Sequence, residues 1–190
     1  MGHRVYGHES KCSNLHGHNY KFLFTVKPKQ CLDGVGRVTD FSEVKNVLCE
    51  WLEKNWDHKT ILWDKDPLAM EFEHIFPHED LVIETVHVPF NPTAENIANY
   101  FLTVIASGLT KTTGWYLYSL TLFETSKCSA TVTLTKEQEI LKTQENPIVK
   151  MPEGYYCSKQ CGNERNCRCG EKDDFFKINN CLHCYQDLPF

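Results

Sequence analysis

The chain has 190 residues, 41% hydrophobic and 24% charged, enough for one domain with a sizeable core, or one domain with a small appendage. Nowhere do eighteen apolar residues follow one another, and Met1 precedes Gly2, His3 and Arg4 rather than a basic stretch and an apolar run, so no membrane span or secretory leader is read and a cytoplasmic location is expected. A net charge of −5 makes no strong case for nucleic acid and leaves a small-molecule substrate as the expectation.

Residues 19–26, NYKFLFTV, read as a strand, and residues 34–40, GVGRVTD, as its hairpin partner. Val44, Val47, Leu48, Trp51 and Leu52 then recur at helical spacing, with Asp40 or Ser42 as N-cap and an end near Asn55. Residues 81–88 form a strand candidate. Thr93 caps a clearer helix, with Ile97, Tyr100, Phe101, Val104 and Ile105 in one stripe and Gly108 at its C-terminal turn. Residues 115–124 and 129–135, rich in β-branched and aromatic side chains, make a second hairpin. The order predicts an α+β domain over residues 1–135, with two helices on one face of an antiparallel sheet. Residues 136–152, with two prolines and many charges, read as a linker, and residues 153–190 as a small Cys-rich C-terminal extension.

Six of the ten cysteines, Cys157, Cys161, Cys167, Cys169, Cys181 and Cys184, fall in that extension. In a reducing compartment such a cluster binds metal more often than it forms disulfides, and the pair in CLHC has the two-residue spacing of structural zinc sites. Four thiolates would close one tetrahedral site; which four is left open. Five basic and six acidic residues share the extension, so no basic patch marks it for nucleic acid. Cys31, Cys49 and Cys128 sit in apolar or strand-like surroundings and read as inert thiols.

The densest chemistry lies in the first twenty residues, GHRVYGHESKCSNLHGHNY. In an extended strand alternate side chains share a face, so His16 and His18 can converge on one ion with Gly17 between them. His3 or His8 can supply a third nitrogen. Three neutral imidazoles with one open position are the arrangement of catalytic zinc. Unliganded surface histidines are the competing reading. Asp57 beside His58 pairs a carboxylate with the imidazole it could orient, or marks a solvated helix end. Glu124, at the end of an apolar strand, could accept two hydrogen bonds from a guanidine-like heterocycle edge, or be a solvated strand end.

The blocks GHRVYGHESKC, CSNLHGHNY, GRVTDF, WDHKTIL, NPTAEN and LFETSKC, in that order from His3 to about Thr135, resemble the 6-pyruvoyltetrahydropterin and 6-carboxytetrahydropterin synthase superfamily. The resemblance implies the tunnelling fold (T-fold), in which subunit sheets join into a barrel, pockets form between neighbouring subunits, and two trimers stack into a homohexamer. It implies His3, His16 and His18 as zinc ligands in place of His8, Cys12, Asp57 and His58 as the proton-transfer groups, and Glu124 as the anchor of a pterin ring. Thr93 and Glu95 fall in a block near the substrate pocket. Three residues separate Cys12 from His16, as in the 6-carboxy enzymes of deazapurine synthesis. With that spacing choosing the branch, the resemblance implies conversion of 7,8-dihydroneopterin triphosphate to 6-carboxy-5,6,7,8-tetrahydropterin with loss of acetaldehyde and triphosphate, a carbon–carbon lyase reaction feeding queuosine and other 7-deazaguanines. The pyruvoyl-forming enzyme and a weakened, zinc-stabilised binding module are the alternatives. One departure is that family members normally carry a strand before the histidine matched by His3, where this sequence has only Met1 and Gly2.

Overall fold

The structure, a computed structural model, describes residues 1–75 and 84–144. One sheet is antiparallel, with strands β3 (Lys21–Pro28), β6 (Trp115–Phe123) and β7 (Ser129–Thr133) in the order β3-β6-β7. The hairpin read from residues 115–135 is therefore β6 and β7. The second sheet has the order β2-β1-β4-β5 and consists of β1 (Gly2–His3), β2 (His16–Gly17), β4 (Thr60–Trp63) and β5 (Thr85–Val88).

Helix α1 spans residues 41–55, helix α2 Pro67–Ile75 and helix α3 residues 94–109; α1 and α3 each have a wider π-helical stretch, Lys45–Cys49 and Phe101–Ile105, at the middle. The Asp40 carboxylate caps α1 by accepting from the Ser42 N–H at 2.9 Å, and Thr93 caps α3. The core forms where these helices meet the antiparallel sheet. Phe22 and Phe24 of β3 pack on Phe101 at ring separations of 5.5 and 5.7 Å, and Trp51 and Trp56 close the cluster. Leu48, Ile97, Leu102, Trp115, Leu120 and Leu122 are buried around it. Each such aliphatic or aromatic side chain contributes about 1.5–3 kcal/mol by leaving water. The Trp115 indole N–H donates to Glu43 Oε1 at 3.0 Å, tying α1 to the first residue of β6. Among the described residues no helix is long and apolar enough to cross a membrane.

Three expectations are corrected. The sheet is not antiparallel throughout, because β1 runs antiparallel to β2 but parallel to β4, and β4 runs parallel to β5. Strand β4 escaped the sequence pattern because Ile61 and Leu62, adjacent in sequence, are both fully buried, leaving no alternation to read. Residues 34–40 form no strand, and the partner of β3 is β6. The Asp33 carboxylate instead accepts from the N–H groups of Val35 and Arg37 at 3.0 and 2.8 Å, so local turn chemistry overrides the β-branched residues. Residues 136–144, read as the start of a linker, form helix α4 (Lys136–Gln144). Thr135 and Gln138 exchange side-chain to backbone bonds at its start, a reciprocal cap. Glu139 accepts from Lys27 Nζ at 2.7 Å and from the Tyr116 hydroxyl at 3.3 Å, which docks the helix on the antiparallel sheet. Of the strand expected over 81–88, Thr85–Val88 is seen; residues 81–83, the rest of the expected linker and the Cys-rich extension lie outside the described residues.

Candidate metal and substrate site

The register of β1 and β2 assembles the histidines. His3 lies directly opposite His16, which puts their side chains on one face of the ladder, ring centroids 4.5 Å apart. His18, two residues beyond His16, stands on the same side, at 5.3 Å from His3 and 4.9 Å from His16. One ligand atom from each of the three lies within 4.8 Å of the others. Gly17 leaves little room between them. A Cβ there would meet the Met1 carbonyl oxygen at 3.2 Å. His8 stands apart from this cluster, its Nδ1 accepting from the Ser10 N–H at 3.0 Å.

Two of the rings are oriented by backbone. His3 Nδ1 donates to the Pro92 carbonyl at 2.8 Å and His16 Nδ1 donates to the Asn14 carbonyl at 2.7 Å. A carbonyl only accepts, so each Nδ1 carries a proton and, in the neutral ring, Nε2 presents a lone pair. His3 is 1% exposed. Burial, above all, holds its imidazole below its ordinary pKa of 6.5, and His16 and His18 push the same way against Pro92 and Glu124.

The same alternation continues to Tyr20. Extending the β3–β6 register by one residue sets Tyr20 opposite Glu124, and the Tyr20 hydroxyl lies 2.9 Å from His3 Nε2 and 3.1 Å from Glu124 Oε1. Burial, then Glu124 and Cys12, holds this phenol far above its ordinary range. Its single proton can serve the imidazole or the carboxylate, not both. Lone pairs thus converge from His3, Glu124 and Tyr20 with one proton among them, a deficit that a cation satisfies. The donor set fits zinc, with three imidazoles supported by carbonyl bonds behind two of them.

Tyr20 was missed in the sequence although the spacing 16, 18, 20 carried the signal. The support behind His3 was missed as well. Asn91 clamps Tyr6 by accepting from its N–H at 2.9 Å and donating to its carbonyl at 2.7 Å, which fixes the segment whose Pro92 carbonyl holds His3. Next to His3, Arg4 makes a bidentate pair, 2.6 and 2.7 Å, with the buried Asp66.

A cleft of about 440 Å³ opens beside the cluster, lined by His18, Tyr20, Phe22, Phe24, Trp56 and Asp57 among others. Cys12 sits half-buried in the short turn Lys11–Ser13, near enough to Tyr20 to bear on its acidity. Asp57 reaches the cleft, but the His58 side chain is 95% exposed, 3.6 Å from Asp57, on a backbone with φ of 57°. Within one chain His58 does not join the cluster. Thr93 accepts from the Asn96 N–H at 3.3 Å as a helix cap, and Glu95 is exposed in the first turn of α3.

Residues 1–135 match the family model described as 6-pyruvoyl tetrahydropterin synthase. The chain belongs to this family. It is 34% identical over 128 residues to the 6-carboxy-5,6,7,8-tetrahydropterin synthase of Rickettsia typhi, covering 67% of this chain and 88% of that protein. To the enzyme of the same name from Haemophilus influenzae it is 31% identical over 102 residues, 53% of this chain and 71% of that one. The crystal structure of an uncharacterised protein from Wolinella succinogenes superposes with a TM-score of 0.59 at 26% identity, covering 70% of this chain and 92% of that one. Family membership and the mixed α+β architecture agree with the T-fold reading. The matched region ends at residue 135, just before α4.

Proposed function

We propose that the chain is a zinc-dependent 6-carboxy-5,6,7,8-tetrahydropterin synthase, a carbon–carbon lyase acting on 7,8-dihydroneopterin triphosphate in the route to queuosine and related 7-deazaguanines. The observation that carries the reading is the joining of the His3, His16 and His18 cluster through Tyr20 to Glu124 beside an open cleft. That arrangement supports a metal site and a heterocycle anchor serving one small substrate. The names of the Rickettsia and Haemophilus relatives favour the 6-carboxy product, as does the Cys12 to His16 spacing.

Zinc held by the three imidazoles supplies Lewis acidity, which eases proton loss from the substrate's side-chain hydroxyls and the carbons beside them. Glu124 accepts two hydrogen bonds from the guanidine-like edge of the pterin and fixes the ring. Cys12 takes a proton from the substrate side chain. His58, oriented by Asp57, moves protons on the other face. Since His58 is exposed on the single chain, we assign it to a pocket completed by a neighbouring protomer in a homohexamer of two trimers. Thr93 and Glu95 border that pocket. In the extension, four of Cys157, Cys161, Cys167, Cys169, Cys181 and Cys184 hold a second, structural zinc.

The test is mass spectrometry of products after zinc-loaded protein meets 7,8-dihydroneopterin triphosphate, with Cys12→Ala as control. A Cys12-dependent 6-carboxy product is expected. A 6-pyruvoyl product would keep the site and change the reaction, and no product would leave a binding module.

A further inference from the structure

Glu124 carries more than a ring anchor needs. Its Oε1 lies 3.4 Å from His3 Nε2 and 3.7 Å from His18 Nε2. Two ligand atoms on one tetrahedral zinc, each 2.0–2.1 Å from the metal, stand about 3.4 Å apart. Among the described residues no other carboxylate oxygen lies within 4.0 Å of a nitrogen of these three rings. The Tyr20 hydroxyl touches the same Oε1, and the Glu124 N–H donates to the Cys128 carbonyl at 3.0 Å, which fixes the backbone from which the carboxylate reaches the cluster. The Glu124 side chain is nevertheless 25% exposed, on the same site that His3 closes from inside.

We propose that Glu124 is the fourth, exchangeable ligand of the metal. Without substrate its carboxylate would hold the metal together with the three histidines, with Tyr20 donating to it as the supporting hydrogen bond. A heterocycle that presents two adjacent N–H donors competes for the same carboxylate and draws it off the metal. Release of Glu124 to the ring would let the metal take up the hydroxyls of the substrate side chain. Ring recognition thereby controls access to the Lewis acid, and a diol lacking the heterocycle finds the site closed. This inference rests on the zinc and pterin reading above.

The experiment uses full-length protein and two readouts besides turnover, zinc affinity by competition with a chromophoric chelator and the visible absorption of the cobalt-substituted protein. Glu124→Gln keeps size and hydrogen bonding but removes the charge, and should weaken zinc binding about 10–100-fold, with Glu124→Asp between it and the wild type. Unsubstituted pterin, which has the donor edge and no side chain, should shift the cobalt bands of the wild type and leave those of Glu124→Gln unmoved. Circular dichroism confirms that the variants fold. Equal zinc affinity in wild type and Glu124→Gln, or cobalt bands that pterin does not move, overturns the fourth-ligand assignment while leaving the histidine site standing. His16→Ala separates the two failures, since zinc binding unaffected by that change would remove the histidine site itself and this inference with it.

Discussion

The histidine cluster and the Asp57–His58 corner both carry imidazoles beside carboxylates, yet they are built to opposite standards. His3 is 1% exposed, its Nδ1 is fixed on Pro92, and its ring packs against three aromatic neighbours. The His58 side chain is 95% exposed, its one ionic neighbour among the described residues lies 3.6 Å away and is itself 56% exposed, and its backbone occupies the left-handed region. Side-chain entropy makes an exposed imidazole a poor instrument for directed proton transfer. The first site is preorganised by its own chain, while the second gains a fixed geometry only when something packs against it. That difference is why the proposed assembly bears on the second site and not on the first.

The comparison breaks most severely at His16. Replacing it with alanine removes a ligand whose orientation the backbone has already fixed, so zinc affinity should fall more than about 100-fold and turnover with it. Metal analysis of the full chain checks this. Two zinc ions per chain are expected, falling to one with His16→Ala and, independently, to one when all six cysteines from Cys157 to Cys184 are replaced with serine. A stoichiometry indifferent to His16 removes the metal reading of the preorganised site.

The Asp57–His58 corner is probed by mixing. Cys12→Ala and His58→Ala should each be nearly inactive alone, yet regain activity after being unfolded together and refolded into mixed oligomers. With random assembly half of the pockets take an intact Cys12 and half of those face an intact His58, so recovery approaches about one quarter of wild-type turnover. No recovery, with oligomer mass confirmed by light scattering, would place both residues in one chain's pocket and require His58 to move.

Third in size is Arg4→Ala, which leaves the Asp66 carboxylate buried without its guanidinium. Losing one partner of a buried pair costs about 3–5 kcal/mol, read as a lowered urea midpoint with an unchanged slope. The same substitution tells whether the cluster depends on its neighbour. Zinc affinity that survives in the folded fraction shows that Pro92 and the strand register hold His3, not the Arg4 pair.

How much of this was legible in the sequence divides along the same line. The candidate ligands His16 and His18 and the helices α1 and α3 were readable because their geometry is local, a period of two or of 3.6. His3 was readable only as one of two rivals to complete the set, since its place opposite His16 depends on pairing between segments. The parallel pairing of β1 with β4 and the Pro92 carbonyl behind His3 were not readable at all. Both join residues more than fifty positions apart. The loop at 34–40 shows the converse failure, where an alternating pattern suggested a strand but Asp33 offered the backbone closer partners. Tyr20 was legible and overlooked, for it continues the spacing that named His16 and His18.

The smallest expected effect concerns Thr93, which the resemblance placed near the substrate and the structure shows capping α3. As a cap alone, Thr93→Ala should cost about 1 kcal/mol and Thr93→Ser almost nothing, while Glu95→Gln on the exposed first turn stays within about 0.5 kcal/mol. Thr93 also follows Pro92, whose carbonyl orients His3. If the cap anchors that carbonyl, zinc affinity should drop with Thr93→Ala and recover with Thr93→Ser, in parallel with the denaturation midpoints. A loss of substrate affinity in both variants at full zinc affinity would instead make Thr93 a substrate contact, because serine restores the cap but not the methyl group. The pair of substitutions therefore decides whether this block serves the preorganised site through the backbone or the unfinished pocket through its side chain.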